Sequence, residues 1–317
     1  MGIGHHLPER VVENAHFETT LDTSDTWIRE RTGIERRRFA AEGQMTSDLA
    51  TEAAKAALSN AGIAPSDLDA LIVATSTPDL TFPATATKVQ HAIGMKGGFA
   101  FDIQAVCAGF IFALANATAL IASGQARRVM VIGAETFSRI LDWSDRATCV
   151  LFGDGAGALI LEAQEGDGTT ADRGVLATDL NSDGSLRDML YVDGGVSSTQ
   201  TAGHLRMMGP ELFKHAVVKL AKTGETCLSK AGLGNDDVDW LVPHQANLRI
   251  MTAMAQKIGL PLDRVVRTIQ DHGNTSAASI PLALSVASAD GRIQPGQLLL
   301  LEGIGGGLVW GSAAVRW

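Results

Sequence analysis

Cysteine is scarce in this chain: three in 317 residues, at positions 107, 149 and 227. That excludes a disulfide framework, and none of the three has metal-ligand spacing to another Cys or to a His. No run approaches the roughly eighteen apolar residues that a membrane span needs. Positive charge is in deficit, with 26 Lys and Arg against 35 Asp and Glu and a net charge of −9. Such a chain is a poor general binder of nucleic acid. The segment Met1 to Pro8 lacks a basic region followed by an apolar stretch. No secretory signal is expected there, and the cytoplasm is the expected compartment. His5 and His6 have no neighbours in sequence to complete a metal site, and a surface loop is expected for them.

Apolar and small residues are abundant. Hydrophobic residues make up 45%, and there are 34 glycines. This supports a large core in one or two domains, with helices packed tightly on sheets. The chain also repeats itself. Leu58 to Leu71 aligns with Leu228 to Leu241, and Val129 to Gly133 aligns with Leu299 to Gly303, both at an offset of 170 residues. In the first pair a helix, a Gly stop and an acidic turn lead into a strand. The second pair reads as buried strands. Duplicated halves follow, 1–165 and 166–317, joined through the acidic, Gly-rich stretch Leu161 to Asp172. Each half alternates helices with buried strands, giving an α/β class with mixed sheets.

Cys107 follows an apolar strand-like run that ends near Ala105 and opens a helical pattern through Phe110, Leu114 and Ile121. Free N–H groups and the positive end of the helix dipole gather at such a place. A thiol there is expected to fall from about 8.5 to roughly 3.5–7.5, which makes a nucleophile. Covalent catalysis also needs groups that meet the nucleophile in space. His244, in Val242-Pro243-His244-Gln245-Ala246-Asn247, and Asn274, in His272-Gly273-Asn274-Thr275-Ser276, lie in the second half. His244 is the repeat counterpart of Ala74. A site between duplicated halves draws different side chains from equivalent positions. Five arginines (29, 31, 36, 37 and 38) form either a solvated basic face or a site for a phosphate-bearing ligand or acidic partner. Gly153-Asp154-Gly155-Ala156-Gly157 lacks the unit of a dinucleotide fingerprint. It reads as a Gly-rich turn between strands beneath the pocket.

Cys107-Ala108-Gly109-Phe110, Phe152-Gly153-Asp154-Gly155-Ala156-Gly157-Ala158, Pro243 to Asn247, His272 to Ser279 and Gly305-Gly306-Gly307, in this order, resemble the β-ketoacyl-[acyl-carrier-protein] synthase III family. The resemblance covers essentially the whole chain. It implies a thiolase-like fold of two halves in five αβαβα layers and a decarboxylating Claisen condensation that initiates type II fatty-acid synthesis. A short acyl-CoA and malonyl-acyl carrier protein are the implied substrates, with no cofactor, no metal and a homodimer. Cys107 is then the acylated nucleophile, and His244 and Asn274 hold the enolate. The amides of Cys107 and Gly306 form the oxyanion site. Trp27 and Arg146 sandwich the adenine of CoA, Thr23 and Arg31 lie near its nucleotide end, and Asn247 lies along the arm. Arg249, and less directly Lys214, meet the carrier protein.

Asn at 274 matches this family, where elongating synthases use a second His. The Glu302 to Gly307 turn has no Cys, which disfavours a thiolase. Ile304 stands where a bulky aromatic is common. Phe82 matches a residue that reaches into a dimer partner's acyl pocket, implying a small primer such as acetyl. The rival readings are a same-fold acyltransferase or secondary-metabolite condensing enzyme, and a non-catalytic carrier-protein-binding module.

Overall fold

The computed structural model describes residues 2–317. Two sheets form its frame. The first has five strands in the order Gly2–His6, Asp154–Glu162, Arg128–Thr136, Ala70–Ala74, Phe99–Ile103. The second has four, in the order Trp240–Pro243, Leu298–Gly305, Val309–Arg316, Gly174–Ser182. Residues 163–173 connect the two. Ala70–Ala74 is buried at all five positions, as expected of a parallel strand covered on both faces.

The 170-residue repeat persists in the hydrogen-bond register. Ala70 pairs with Val129 in the first sheet, and Trp240 pairs with Leu299 in the second. The halves differ at one edge. Where the first sheet has Phe99–Ile103, the second has only the isolated bridge between Leu241 and Val265 among the described residues.

Helices complete the layers. Gly109–Ala122 and Ser279–Ala289 contact strands of both sheets and form the central layer. Thr46–Ala61 and Thr85–Ile93 cover the outer face of the first sheet, and Gly209–Lys230 covers that of the second. The result is the five-layer αβαβα arrangement of the thiolase fold.

The Thr46–Ala61 helix stops for a local reason. Gly62 takes φ 67°, and its N–H reaches the carbonyls of Leu58 and Ser59. Other glycines serve close approach. A Cβ on Gly133 would lie 2.2 Å from the Ala277 carbonyl oxygen, and one on Gly157 would lie 2.7 Å from the Leu282 nitrogen. The central helices therefore rest on the strand backbone itself.

Two expectations are corrected here. Gly155 and Gly157 lie within the Asp154–Glu162 strand and not in a turn, because the helix above leaves no room for side chains. His5 and His6 lie in the first strand and not in a surface loop. The His5 Nδ1 is 2.8 Å from the Ser285 hydroxyl, which holds it to the central layer.

Candidate active site

Cys107 sits at a sharp junction. Strand Phe99–Ile103 ends, a single turn of 3₁₀-helix runs over Val106–Ala108, and the Gly109–Ala122 helix begins. Val106 makes the turn possible by adopting φ 47°. This left-handed backbone is costly for a β-branched residue, so the surrounding packing must impose it. Gly109 lies where a Cβ would be 3.2 Å from the Ala74 Cβ and 3.3 Å from the Ala277 Cβ. The helix start is thus wedged between the two halves.

The helix terminus does not set the state of the thiol. Cys107 is 3% exposed. Burial pushes it from 9.0 up to about 12; the polar Ser276 side chain opposes this rise, and the Glu135 carboxylate adds to it. That rise corresponds to about 4 kcal/mol. A helix N-terminus supplies only about 0.3–2 kcal/mol. Desolvation wins, and the resting group is a thiol. The expected lowered value is corrected on this ground.

His244 follows the Trp240–Pro243 strand. Its N–H donates to the Glu302 carbonyl at 2.7 Å. The Ser279 Oγ accepts the Gln245 N–H at 3.3 Å and lies 2.7 Å from His244 Nδ1. When the Ser279 hydroxyl donates to Nδ1, the ring proton sits on Nε2. Burial lowers His244 to about 3, so the ring is neutral. Gln245 locks the loop: its Nε2 donates to the carbonyls of Pro243 and Val266, and its Oε1 accepts from Thr268 and Ile269.

Asn274 is oriented from two sides. Its backbone exchanges bonds with the first half, N–H to the Leu151 carbonyl and carbonyl from the Gly153 N–H, each at 2.9 Å. Its side-chain Oδ1 accepts the Ser276 N–H at 2.9 Å. The amide Nδ2 remains as the free donor.

Cys107, His244 and Asn274 line one cavity of about 620 Å³, together with Ile304. Trp27, Arg31, Asn247, Arg249 and Lys214 border the same cavity. Arg31, Arg249 and Lys214 are exposed. Trp27 is stacked by two guanidinium groups, Arg31 at 4.9 Å and Arg146 at 4.8 Å from its ring. Asn247 has a structural task as well. It caps the Leu248–Lys257 helix through the Arg249 N–H and donates to the Arg31 carbonyl.

Thr23, Arg146, Gly306 and Phe82 are not among the cavity lining. Phe82 is 82% exposed. A Cβ on Gly305 would lie 2.6 Å from the Cys107 nitrogen, whereas one on Gly306 would lie 2.4 Å from the Leu190 carbonyl oxygen. Gly305 therefore packs on the Cys107 amide.

The arginine cluster disperses on folding. Arg29 pairs with Asp25 and Glu35, and Arg36 pairs with Glu35 and Asp271. Arg37 is fully buried and donates to Asn14 Oδ1 and the Val150 carbonyl. Arg38 donates to the carbonyls of Pro8 and Glu9. Only Arg31 of the five borders the cavity. Neither a common basic face nor a five-arginine site exists.

Sequence reasoning missed several contributors. Leu190, Met207 and Phe213 line the cavity from segments without a recognisable motif. Ser276 and Ser279 stood inside a quoted motif, but only their contacts reveal a task.

A duplicated five-layer core with a cysteine at the start of a buried central helix defines a thiolase-fold condensing enzyme, an acyltransferase. Comparison with known proteins agrees with that class. The profile of 3-oxoacyl-[acyl-carrier-protein (ACP)] synthase III matches residues 101–184, and its C-terminal counterpart matches residues 228–317. The chain is 68% identical to the β-ketoacyl-[acyl-carrier-protein] synthase III of Ruegeria pomeroyi, over 100% of this chain and 98% of that protein. The crystal structure of 3-oxoacyl-[acyl-carrier-protein] synthase III from Aquifex aeolicus superposes with a TM-score of 0.94 at 46% identity, covering 100% of this chain and 98% of the other. The priming β-ketosynthase of a polyketide pathway superposes at 0.93 with 32% identity, covering 99% and 94%. The chain belongs to the 3-oxoacyl-[acyl-carrier-protein] synthase III family.

Proposed function

We propose that this protein condenses a short acyl-CoA, acetyl-CoA above all, with malonyl-acyl carrier protein through an acyl-Cys107 intermediate, and so initiates type II fatty-acid synthesis. The observation that carries the reading is the meeting of Cys107, His244 and Asn274, from two halves of the chain, in one cavity.

In the first half-reaction Cys107 Sγ attacks the acyl-CoA carbonyl and CoA leaves. The Cys107 and Gly306 N–H groups hold the oxyanion, each such donor being worth roughly 2.7–4 kcal/mol. In the second, malonyl-acyl carrier protein loses CO₂. The enolate oxygen is held by His244 Nε2–H and Asn274 Nδ2. A neutral histidine suits this task, since it donates a hydrogen bond without titrating near pH 7. The carbanion attacks the acyl-Cys107 carbonyl, and 3-oxoacyl-carrier protein departs. The reaction uses no cofactor beyond these substrates.

Trp27, Arg31, Arg146, Thr23 and Asn247 take the nucleotide and arm of CoA. Arg249 and Lys214, exposed at the cavity border of a chain with net charge −9, meet the acidic carrier protein. Phe82, exposed beside the half-exposed Leu80, supports a homodimer in which it limits the partner's acyl pocket. Ile304 shapes the pocket beside the thiol. The two halves are assigned to 1–165 and 166–317, and the compartment to the cytoplasm. No helix is long and apolar enough to cross a membrane.

The test is condensation of acyl-CoAs of two to ten carbons with malonyl-acyl carrier protein, scored against Cys107→Ala. Product from acetyl-CoA that vanishes in the variant is expected. Acyl-Cys107 without 3-oxoacyl product would favour a same-fold acyltransferase. A preference for unusual starters would favour a pathway-specific role like that of the priming β-ketosynthase.

A further inference from the structure

His244 and Asn274 come from different segments of the second half, and one side chain spans the two. His244 is anchored by its N–H on the Glu302 carbonyl at 2.7 Å. Asn274 is anchored by its backbone bonds to Leu151 and Gly153, each at 2.9 Å. Strand-like pairing joins the two segments as far as Leu241, which bridges Val265 and accepts the Val266 N–H at 2.9 Å. Beyond that point the side-chain amide of Gln245 continues the ladder. Its Nε2 donates to the Pro243 carbonyl at 2.8 Å and the Val266 carbonyl at 3.1 Å. Its Oε1 accepts the N–H of Thr268 at 2.9 Å and that of Ile269 at 3.2 Å.

Each of these bonds has a task. A primary amide has two N–H donors and an oxygen with two lone pairs, and backbone groups fill all four positions. Gln245 is 1% exposed, so bulk water does not replace a partner lost here. The Ile269–His272 helical turn starts from Thr268, whose side chain makes no cap bond. The first N–H groups of a helix have no partner within it. Gln245 supplies that partner from the other segment. The turn closes with the Gly273 N–H on the Ile269 carbonyl at 2.9 Å, and Asn274 follows. Gly273 takes φ 65°, and a Cβ there would meet the Leu151 carbonyl oxygen at 3.0 Å and the Arg37 Cβ at 3.1 Å. The path from Gln245 to Asn274 is therefore short and stiff.

On the other side Gln245 bears on His244. The Gln245 N–H donates at 3.3 Å to the Ser279 Oγ, the same oxygen that lies 2.7 Å from His244 Nδ1. His244, Ala246 and Asn247 line the cavity, whereas Gln245 does not. Any effect of Gln245 on the reaction therefore passes through its neighbours, His244 by way of Ser279 and Asn274 by way of the Ile269–His272 turn.

We propose that Gln245 is a positioning residue for decarboxylation: it fixes the spacing between His244 Nε2 and Asn274 Nδ2, so that both donors meet one enolate oxygen. The proposal rests on the condensation function above. Two donors serve one oxyanion only while both stay within hydrogen-bond reach of it, and a misplacement of about 1 Å can cost about 10²-fold. Cys107 is held by other means, the Val106–Ala108 turn and the close packing of Gly305 on its amide. Gln245 thus governs the second half-reaction and leaves the first alone.

The experiment compares two rates in Gln245→Met and Gln245→Glu, each checked for folding by thermal melting. Acylation of Cys107 by acetyl-CoA is read by intact mass, and decarboxylation as CO₂ release from malonyl-acyl carrier protein. Gln245→Met keeps the length and removes all four side-chain bonds. It should lower CO₂ release by about 10–10²-fold, mainly in kcat, with acylation within about threefold of the wild type. Gln245→Glu keeps the acceptor for Thr268 and Ile269 but loses at least one donor, so its rate should fall between the two. A double-mutant cycle then separates positioning from general loosening. Added to His244→Ala, where no pair of donors is left to space, Gln245→Met should cost less than about threefold more. A merely structural role lowers acylation and CO₂ release together and costs the same factor in both backgrounds, which overturns the proposal. Wild-type CO₂ release in folded Gln245→Met, or in Gln245→Glu should Gln245→Met not fold, overturns it as well. Undiminished CO₂ release in His244→Ala itself removes the enolate site and the proposal with it, a failure distinct from that of Gln245 alone.

Discussion

Val106 and Ser276 stand 170 residues apart and share one strained conformation, φ 47° and φ 50°. Each opens a single turn of 3₁₀-helix, Val106–Ala108 and Ser276–Ala278, that leads into a central-layer helix. The elbow is therefore duplicated along with the sheets. In the first copy the next residue is Cys107, and in the second it is Ala277. Duplication built two equivalent turns, and only one carries a cysteine. The other supplies Asn274 on its approach.

The two half-reactions should separate on mutation. Asn274→Asp puts a carboxylate where the Nδ2 donor stands, and His244→Ala removes the Nε2 donor. Either change is expected to lower condensation by about 10²–10³-fold while acylation of Cys107 changes only a few-fold. Mass-spectrometric acylation and CO₂ release from malonyl-carrier protein measure the two steps. Equal losses in both would remove these residues from the enolate site.

Charge reversal at Arg249 should discriminate between substrates. Arg249 is exposed at the cavity border, so Arg249→Glu is expected to raise KM for malonyl-carrier protein by about tenfold at low salt. The rate of Cys107 acylation by acetyl-CoA should stay near wild type. The carrier-protein effect should shrink as salt rises. A comparable loss with CoA substrates would contradict the docking role.

Gly305 should not tolerate a side chain. A Cβ there meets the Cys107 nitrogen at 2.6 Å and the Val106 Cβ at 2.9 Å, both belonging to the strained elbow. Gly305→Ala is expected to cost about 1–3 kcal/mol in stability and to abolish acylation. Gly184→Ala, where nothing lies within 4 Å, is the control and should be silent in both denaturation and activity. Acylation at the wild-type rate in Gly305→Ala would mean that the elbow yields.

Glu302 makes stability depend on pH. It is fully buried, neither oxygen has a partner, and burial pushes it from 4.5 up to about 8. A carboxyl raised on folding favours the native state fully below its unfolded value, and this contribution is lost as pH rises from 4.5 through about 8. Thermal melts of Glu302→Gln should therefore improve relative to wild type across that window, by on the order of 5 kcal/mol, and level off above it. A gap between the two proteins that stays constant from pH 4.5 to 9 would show that Glu302 ionises with an ordinary value.

The three residues that the sequence singled out, Cys107, His244 and Asn274, do line one cavity. The place of Cys107 between an apolar strand and a helix was legible because the two local patterns meet there, and the motifs around His244 and Asn274 marked the other two. Gly155 and Gly157 were misread, since nothing local tells a turn glycine from one that a helix backbone overlies. The arginines at 29, 36, 37 and 38 were misread for a similar reason. Their partners, among them Asp271 and Val150, are far away in the chain.

The sequence by itself determined the duplication, the α/β class and the order of the chemical groups. These follow from periodicity and local pattern, and the strand registers Ala70 to Val129 and Trp240 to Leu299 preserve the same 170-residue step. Only the tertiary structure decided the protonation states. The Cys107 thiol is held up, His244 is held neutral and Glu135 is poised near 7 because each has lost water to neighbours from several distant segments. Desolvation is a property of that assembled surrounding. The helix terminus, which the sequence does reveal, is too weak to outweigh it.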